Sequence, residues 1–576
     1  MFPRPLLIAL LSSVAGPAGA GTFTWTNPAG GSWGTPSNWN SAPTFAADDL
    51  LDFSTLNITA NAATTLDGNR TVGSLKFGDA TTVSNTWTVN AGTGGTLTLS
   101  TTTGNPTITT VAAADVVTLN VAIAGTQTIV KAGAGTLNLT GANTFTGLFQ
   151  VDPAANSIVN VSGNQSAATG GWNIRAGATV NFQAGSTIAV ASGKSITLAN
   201  ESTAGHTLNV AGTVTSSGTL SVQAAGNVNL NSGAAWTQNG SMTIQPNTSF
   251  ASAQMTVNTG ASFTYAGSTA ITLAASPGSN GGSGSLNLSG GTFTTGRGFN
   301  NSSSGTAGAA NLNFSNGGTL KLSADIATLA TTNTRPFNIT VGTGGGKIDT
   351  NGFNTTLALP VSGTGSLEKL GAGNLTLTGT NTYTGATTVT AGKLLVNGAT
   401  NSASAVDVAA AGTLGGNGSV AGAVNVTGAL APGVGIESLA TGALTLNSGS
   451  TLAYELNSTA LGGDLLVVNG ALTLNGLASL SLTELAAGTL TIGNKLTLIN
   501  YSGTWNGGTF SGLADDSTFT LGANQWQINY NDVTGGSNFG GEQTGPGFVT
   551  LTVVPEPSCA VLGGLGLLYL LRRRRL

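Results

Sequence analysis

Charged residues make up only 7% of this 576-residue chain, against about 25% in ordinary soluble domains. Cysteine occurs once, at Cys559, and histidine once, at His206. A single cysteine excludes an internal disulfide and a thiolate metal site. One histidine cannot build a histidine-rich metal centre, and a Ser-His-Asp triad would have to use that residue. Its setting, GHTLNV, reads as a solvent-facing turn beside a strand. The formal net charge is −4, a mildly acidic balance that argues against nucleic-acid binding, and no nucleic-acid partner is expected. Helical periodicity is nearly absent as well.

What is abundant is glycine, 87 residues, within a composition that is 40% hydrophobic. That much apolar side chain offsets the entropy of ordering the chain, which separates the protein from disordered glycine-rich sequences. The length exceeds what one hydrophobic core usually supports, so the chain is either several domains or one elongated repeat. Its body repeats a short phrase of alternating polar and apolar residues closed by glycine: TLNLTG at 136–141, TLNVAG at 207–212, NVNLNSG at 227–233, SLNLSG at 285–290, NLTLTG at 374–379 and ALTLNG at 471–476. Alternation is the pattern of a half-buried strand, and the closing glycine is expected to supply a positive backbone angle for the turn. Leu208 to Val228, Leu286 to Leu312 and Leu444 to Leu472 recur at 20, 26 and 28 residues, the range of solenoid coils. A repeat that cannot bury its own apolar face stacks on copies of itself, with Leu, Val and Ile inward and Thr, Asn and Ser in ladders outward. The fold expected is all-β, a right-handed parallel β-helix; a series of β-sandwiches is the structural alternative.

The two ends carry signals of another kind. The start, MFPRPLLIALLSSVAGPAGA, has one charge at Arg4, an apolar run Leu6 to Leu11 and small residues at Ala18, Gly19 and Ala20. It reads as a secretory signal peptide cleaved after Ala20. At the other end Pro555, Glu556 and Pro557 precede an apolar run from Cys559 to Leu571 and then Arg572, Arg573, Arg574 and Arg575. A helix of that apolar length spans about 20 Å, short of the roughly 30 Å hydrocarbon core, and the arginines hold it on the cytoplasmic side. This segment resembles a PEP-CTERM sorting signal. The resemblance implies an exosortase-type sorting enzyme as partner, a transient stay in the inner membrane through this short hydrophobic helix, and a host that makes exopolysaccharide. Loss of both ends leaves 12 basic and 20 acidic residues, a net charge of about −8, and no cysteine.

Two longer segments, KAGAGTLNLTGANTFTG at 131–147 and KLGAGNLTLTGTNTYTG at 369–385, agree at 12 of 17 positions. The second continues ATTVTAGKLLVNGA and, with Asn381, Thr382, Tyr383, Thr384 and Gly385, resembles the autotransporter-associated β-strand repeat of secreted passenger domains. The first departs from the pattern after Gly147, at LFQVDPAANS. The region from Ala431 onward resembles the closing part of such passengers, with Glu455 and Asp464 where that family often has acidic residues. The sequence shows no series of amphipathic strands for a translocator barrel, so the sorting tail is expected to take that role.

Few groups are suited to chemistry. Asp48, Asp49 and Asp52 in ADDLLDFS, and Asp515 with Asp516, are the densest acidic sets, and each reads as a turn before a strand. A polysaccharide lyase or glycosidase needs carboxylates converging with each other or with a base, which only contacts across coils could supply here. Calcium-binding β-rolls need aspartate in their glycine-rich turns, and GSNGGSGS at 278–285 has none. No cofactor or metal is expected. Trp25, Trp33 and Trp39 read as a cap on the first coil, with a sugar-binding aromatic face as the functional alternative.

These readings divide the chain into a signal peptide at 1–20, a Trp-rich cap at 21–55, a solenoid at 56–430, a passenger-like region at 431–553 and a sorting signal at 554–576. The function expected is that of an exported, non-catalytic surface or matrix protein, structural or adhesive, meeting exopolysaccharide or surface glycans. A carbohydrate-active β-helix enzyme is the alternative.

Overall fold

A computed structural model describes residues 20–556 apart from 81–84, 154–155, 176, 200–204, 224, 246–251, 274–281, 302–307, 334, 539–540 and 544. The described chain is almost entirely strand and turn, with one short 3-10 turn at Pro36–Asn38. It forms two compact units, the first running to Val228 with Ala234–Trp236, the second comprising Asn229–Gly233 and Thr237 onward.

In the first unit most coils lay one strand on each of three faces, the coil of Ile129–Ala132 and Gly135–Leu139 having only two strands, and the next coil pairs in parallel. Phe149–Val151, Ser157–Val161 and Asn164–Gln165 form one such coil. Its successors are Trp172–Ile174, Ala178–Phe182 and Thr187–Val190, in the registers Phe149↔Trp172, Ser157↔Ala178 and Asn164↔Thr187. In the second unit the same rule joins Met255 to Leu286, Leu286 to Leu312 and Leu312 to Ile339. The fold is a parallel β-helix rather than a series of sandwiches.

Strand alternation sets the inside. Leu137, Leu139, Val159, Val161, Val180, Leu208 and Val210 are fully or almost fully buried. The residues between them face outward and bond from coil to coil. Asn160 Nδ2 donates to Asn138 Oδ1 at 2.8 Å, Asn181 to Asn160 at 2.7 Å and Asn209 to Asn181 at 2.8 Å. Such a ladder satisfies polar groups without charge. The scarce charges follow the same plan: Asp52 pairs in register with Lys76 one coil on, and Lys347 reaches Glu368 at 2.9 Å.

The closing glycines do two different jobs. Gly233 and Gly290 have φ of 86° and 81°, as a left-handed turn requires. Gly141 and Gly379 do not; a Cβ there would collide with backbone of the preceding coil at Val121 and at Ala358 to Pro360. Close approach between coils selects glycine at these positions.

Both exposed edges are closed. Trp25, Trp33 and Trp39 pack around Phe53, Trp39 meeting Phe53 and both other tryptophans edge-on, with Trp25 to Trp39 centroids 4.8 Å apart. In the second unit the parallel order Ser438–Thr441, Leu465–Val468, Lys495–Tyr501 gives way to the antiparallel strands Gly547–Val554, Asn524–Asp532 and Thr518–Leu521. That reversal ends parallel stacking.

Candidate functional site

The two long repeats share most of their backbone hydrogen bonds. Asn143 and Asn381 are buried, and each Oδ1 accepts the backbone N–H of the preceding coil, from Ile123 at 2.8 Å and from Val361 at 3.0 Å. The backbone then repeats itself: Thr144 and Thr382 donate to Ile123 and Val361, Thr146 and Thr384 to Gly125 and Gly363. Phe145 and Tyr383 fill the interior, Phe145 against Phe149 and Trp172, Tyr383 with its hydroxyl 2.6 Å from Thr387. Burial raises the Tyr383 phenol above its usual value. The copies differ where the sequences do. Thr387–Val396 runs as one strand that pairs with both Leu367–Leu370 and Asn374–Leu377, whereas the first copy breaks into Phe149–Val151 and Ser157–Val161. The coil step is 19 residues in the second, Asn374↔Lys393, and 22 in the first, Thr136↔Ile158.

Each repeat also opens on a lysine that faces inward. Lys131 and Lys369 are fully buried. Lys131 Nζ donates to the carbonyls of Ala132 and Gly133 at 3.1 and 2.9 Å and to Ser157 Oγ at 3.3 Å. Lys369 Nζ donates to Leu370, Gly371 and Ala391 carbonyls at 3.0, 2.8 and 3.0 Å. Three acceptors match the three donors of an ammonium and hold the turn carbonyls at a corner of the coil. Loss of solvent pulls both lysines down to about 8, with the Asp349 charge opposing at Lys369. The sequence marks these positions only through the repetition of KxGAG, and burial of a lysine is not what its type suggests.

The acidic sets singled out by sequence do not form a reactive pair. Asp48 bonds the Thr102 N–H and hydroxyl at 2.7 and 2.6 Å. Asp49 holds Thr44 and the Ala46 N–H, and Asp52 holds Ser54 and Lys76. Asp515 accepts the Tyr530 N–H at 3.0 Å and Asp516 the Asn529 amide at 3.0 Å. All of these brace turns or neighbouring coils. His206 departs from its expected place: it is fully buried as the first residue of His206–Val210, on the same inward parity as Leu208 and Val210. The strand starts one residue earlier than the turn reading placed it. The three N-terminal tryptophans are buried at 0%, 0% and 5% exposure, which leaves no aromatic platform for a sugar. Among the described residues, no group of three or more His, Cys, Asp or Glu is placed to hold a metal ion.

Glu455 and Asp464 do meet, together with Glu437. Asp464 is fully buried; its oxygens accept the N–H of Glu437 at 3.0 Å and of Glu455 at 2.8 Å. Burial, aided by the charges of Glu455 and Glu437, raises its carboxyl to about 7 against those two hydrogen bonds. Both oxygens are committed to backbone, so Asp464 ties two strands together.

One open cleft of about 250 Å³ lies in the second unit, along a corner shared by three successive coils. Its walls are Tyr265 to Gly267, Gly296 with Arg297, and Ser323 to Asp325. These segments directly follow strands in register, Tyr265↔Thr295 and Thr295↔Leu322. Arg297 and Asp325 are exposed there.

Of the sorting residues, Ala20 is exposed just before Thr22–Thr24, and Pro555 and Glu556 are exposed just after Gly547–Val554. Ala18, Pro557, Arg572, Arg573, Arg574 and Arg575 lie outside the described residues, as does the short apolar segment between them. No helix among the described residues is long and apolar enough to cross a membrane.

Comparison with known families finds that the passenger-associated-transport-repeat matches residues 129–152 and 367–396. These are the two segments whose hydrogen bonds coincide. No curated protein matches the chain.

Proposed function

We propose that this chain is an exported, non-catalytic repeat protein of the cell surface or extracellular matrix, structural or adhesive, which presents its polar, sparsely charged outer face to exopolysaccharide or surface glycans. The observation that carries this reading is the pair of passenger-type repeats, in which buried Asn, Lys and aromatic side chains all serve to hold one coil to the next. The carboxylates that would have to act in an enzyme are engaged in the same way, on backbone amides and on ion pairs between coils. A signal peptidase would release the chain after Ala20. The Pro555-Glu556-Pro557 segment with Arg572 to Arg575 would hold it briefly in the inner membrane until an exosortase-type enzyme removes the tail.

Incubation of the purified chain with a panel of acidic and neutral polysaccharides tests this reading. The expected result is no new reducing or unsaturated ends over buffer. Turnover that disappears on substituting one carboxylate would establish the carbohydrate-active enzyme instead.

A further inference from the structure

Arg297 has no carboxylate within ion-pair distance among the described residues. Lys76, Arg175, Lys321, Lys347 and Lys495 each face a carboxylate within ion-pair distance, and Lys131 and Lys369 are enclosed by carbonyls. The Arg297 guanidinium, among the described residues, makes one hydrogen bond, from Nε to the Gly267 carbonyl at 3.4 Å. That contact leaves the terminal amino groups for a ligand at the corner cleft. Across the cleft Asp325 spends Oδ1 on the Asn354 N–H and amide at 2.6 and 3.2 Å. Its second oxygen, with the exposed Ser323 hydroxyl, supplies acceptors. Glycine keeps the space open: a Cβ at Gly296 would stand 3.1 Å from Ser323 Oγ and 3.2 Å from the Ala324 methyl.

We propose that this cleft binds a uronic acid unit of an acidic polysaccharide, with the sugar carboxylate on Arg297 and ring hydroxyls on Asp325 and Ser323. A planar guanidinium with free terminal amino groups recognises a carboxylate by paired hydrogen bonds. A carboxylate close by repels a doubly charged phosphate but accepts hydrogen bonds from hydroxyls, so the ligand that fits is a monoanion rich in hydroxyls. A cleft of about 250 Å³ is smaller than the roughly 300–1,000 Å³ of sites for drug-sized ligands, which suits one sugar unit. It is open and lined by three successive coils, which lets the rest of a polysaccharide continue out of either end. The inference deepens the adhesive reading given above, and it fails independently of that reading, because glycan affinity and surface location are measured separately.

Titration calorimetry of the full exported chain with trigalacturonate, cellotriose and glycylglycine tests it. Trigalacturonate is expected to bind, more weakly as salt is raised, and neither neutral cellotriose nor the zwitterionic dipeptide to compete. Arg297→Gln is expected to weaken binding roughly tenfold or more, Arg297→Lys to retain part of it, and Ala324→Leu to block the cleft. The proposal is overturned if trigalacturonate does not bind, if Arg297→Gln binds it as the parent does, or if cellotriose or glycylglycine binds equally well. An unchanged circular dichroism spectrum for the Arg297→Gln chain keeps a loss of binding from being read as a loss of fold.

Discussion

At the scale of single residues, the unusual feature is how many polar side chains work from inside the coil. Lys131 and Lys369 occupy the same place in two repeats and bond the same turn carbonyls. Replacing Lys369 by Met keeps the stem but strands three buried acceptors, at a cost of about 1–3 kcal/mol. The pH dependence follows from burial. The folded-state value near 8 lies below the usual value near 10.4, so between these limits the unfolded chain holds more protons and stability rises with pH. Urea unfolding followed at pH 7.5 and pH 10 is expected to show the parent gaining stability and Lys369→Met gaining less. Equal gains would mean that this lysine is not the buried group. The repeats that contain these lysines are legible in the sequence but their burial is not, because a lysine beside a glycine-rich turn has the composition of an exposed loop. The same limit accounts for His206: its flanking glycine suggested a turn, and the inward parity it shares with Leu208 and Val210 emerges only once the strand start is known.

At the scale of the strand and the coil, much was legible. Leu286 and Leu312, and Leu444 and Leu472, chosen by recurrence alone, are register partners in adjacent coils. The alternating phrases are strands, and the Asn ladders follow from their outward parity. The start of the third sheet was not legible, since Asn164–Gln165 is two residues long and carries no period. Nor was the corner cleft, because coil steps vary from 16 residues at Thr413↔Ala429 to 33 at Ser74↔Thr107, so sequence spacing does not say which turns become neighbours. Glycine placement gives an element-scale prediction. Gly147 and Gly385 end the equivalent phrases NTFTG and NTYTG, and neither has a positive φ; a Cβ at either would collide with a carbonyl oxygen of the preceding coil, Gln127 or Gly365. Gly385→Ala is therefore expected to destabilise its coil by about 1–3 kcal/mol through overpacking. Hydrogen exchange should show faster opening at Thr382 and Thr384, whose amides bond across that contact. Unchanged protection there would show that the backbones separate at no cost.

At the scale of the whole molecule, low charge, absent disulfides and repetition are one strategy. Each coil buries an apolar stripe and satisfies its outer polar groups on the next coil, so stability accumulates by neighbour contacts rather than through a central core. Such a surface offers hydroxyls and amides in rows and little charge. Export is what this design serves, and mass spectrometry of the protein recovered by protease shaving of intact cells is its decisive test. The shaved fraction is expected to contain peptides from the coils, an N-terminus at Gly21, and no peptide extending through Arg572 to Arg575. Recovery of the chain only after lysis, with Met1 and the terminal arginines still attached, would contradict it.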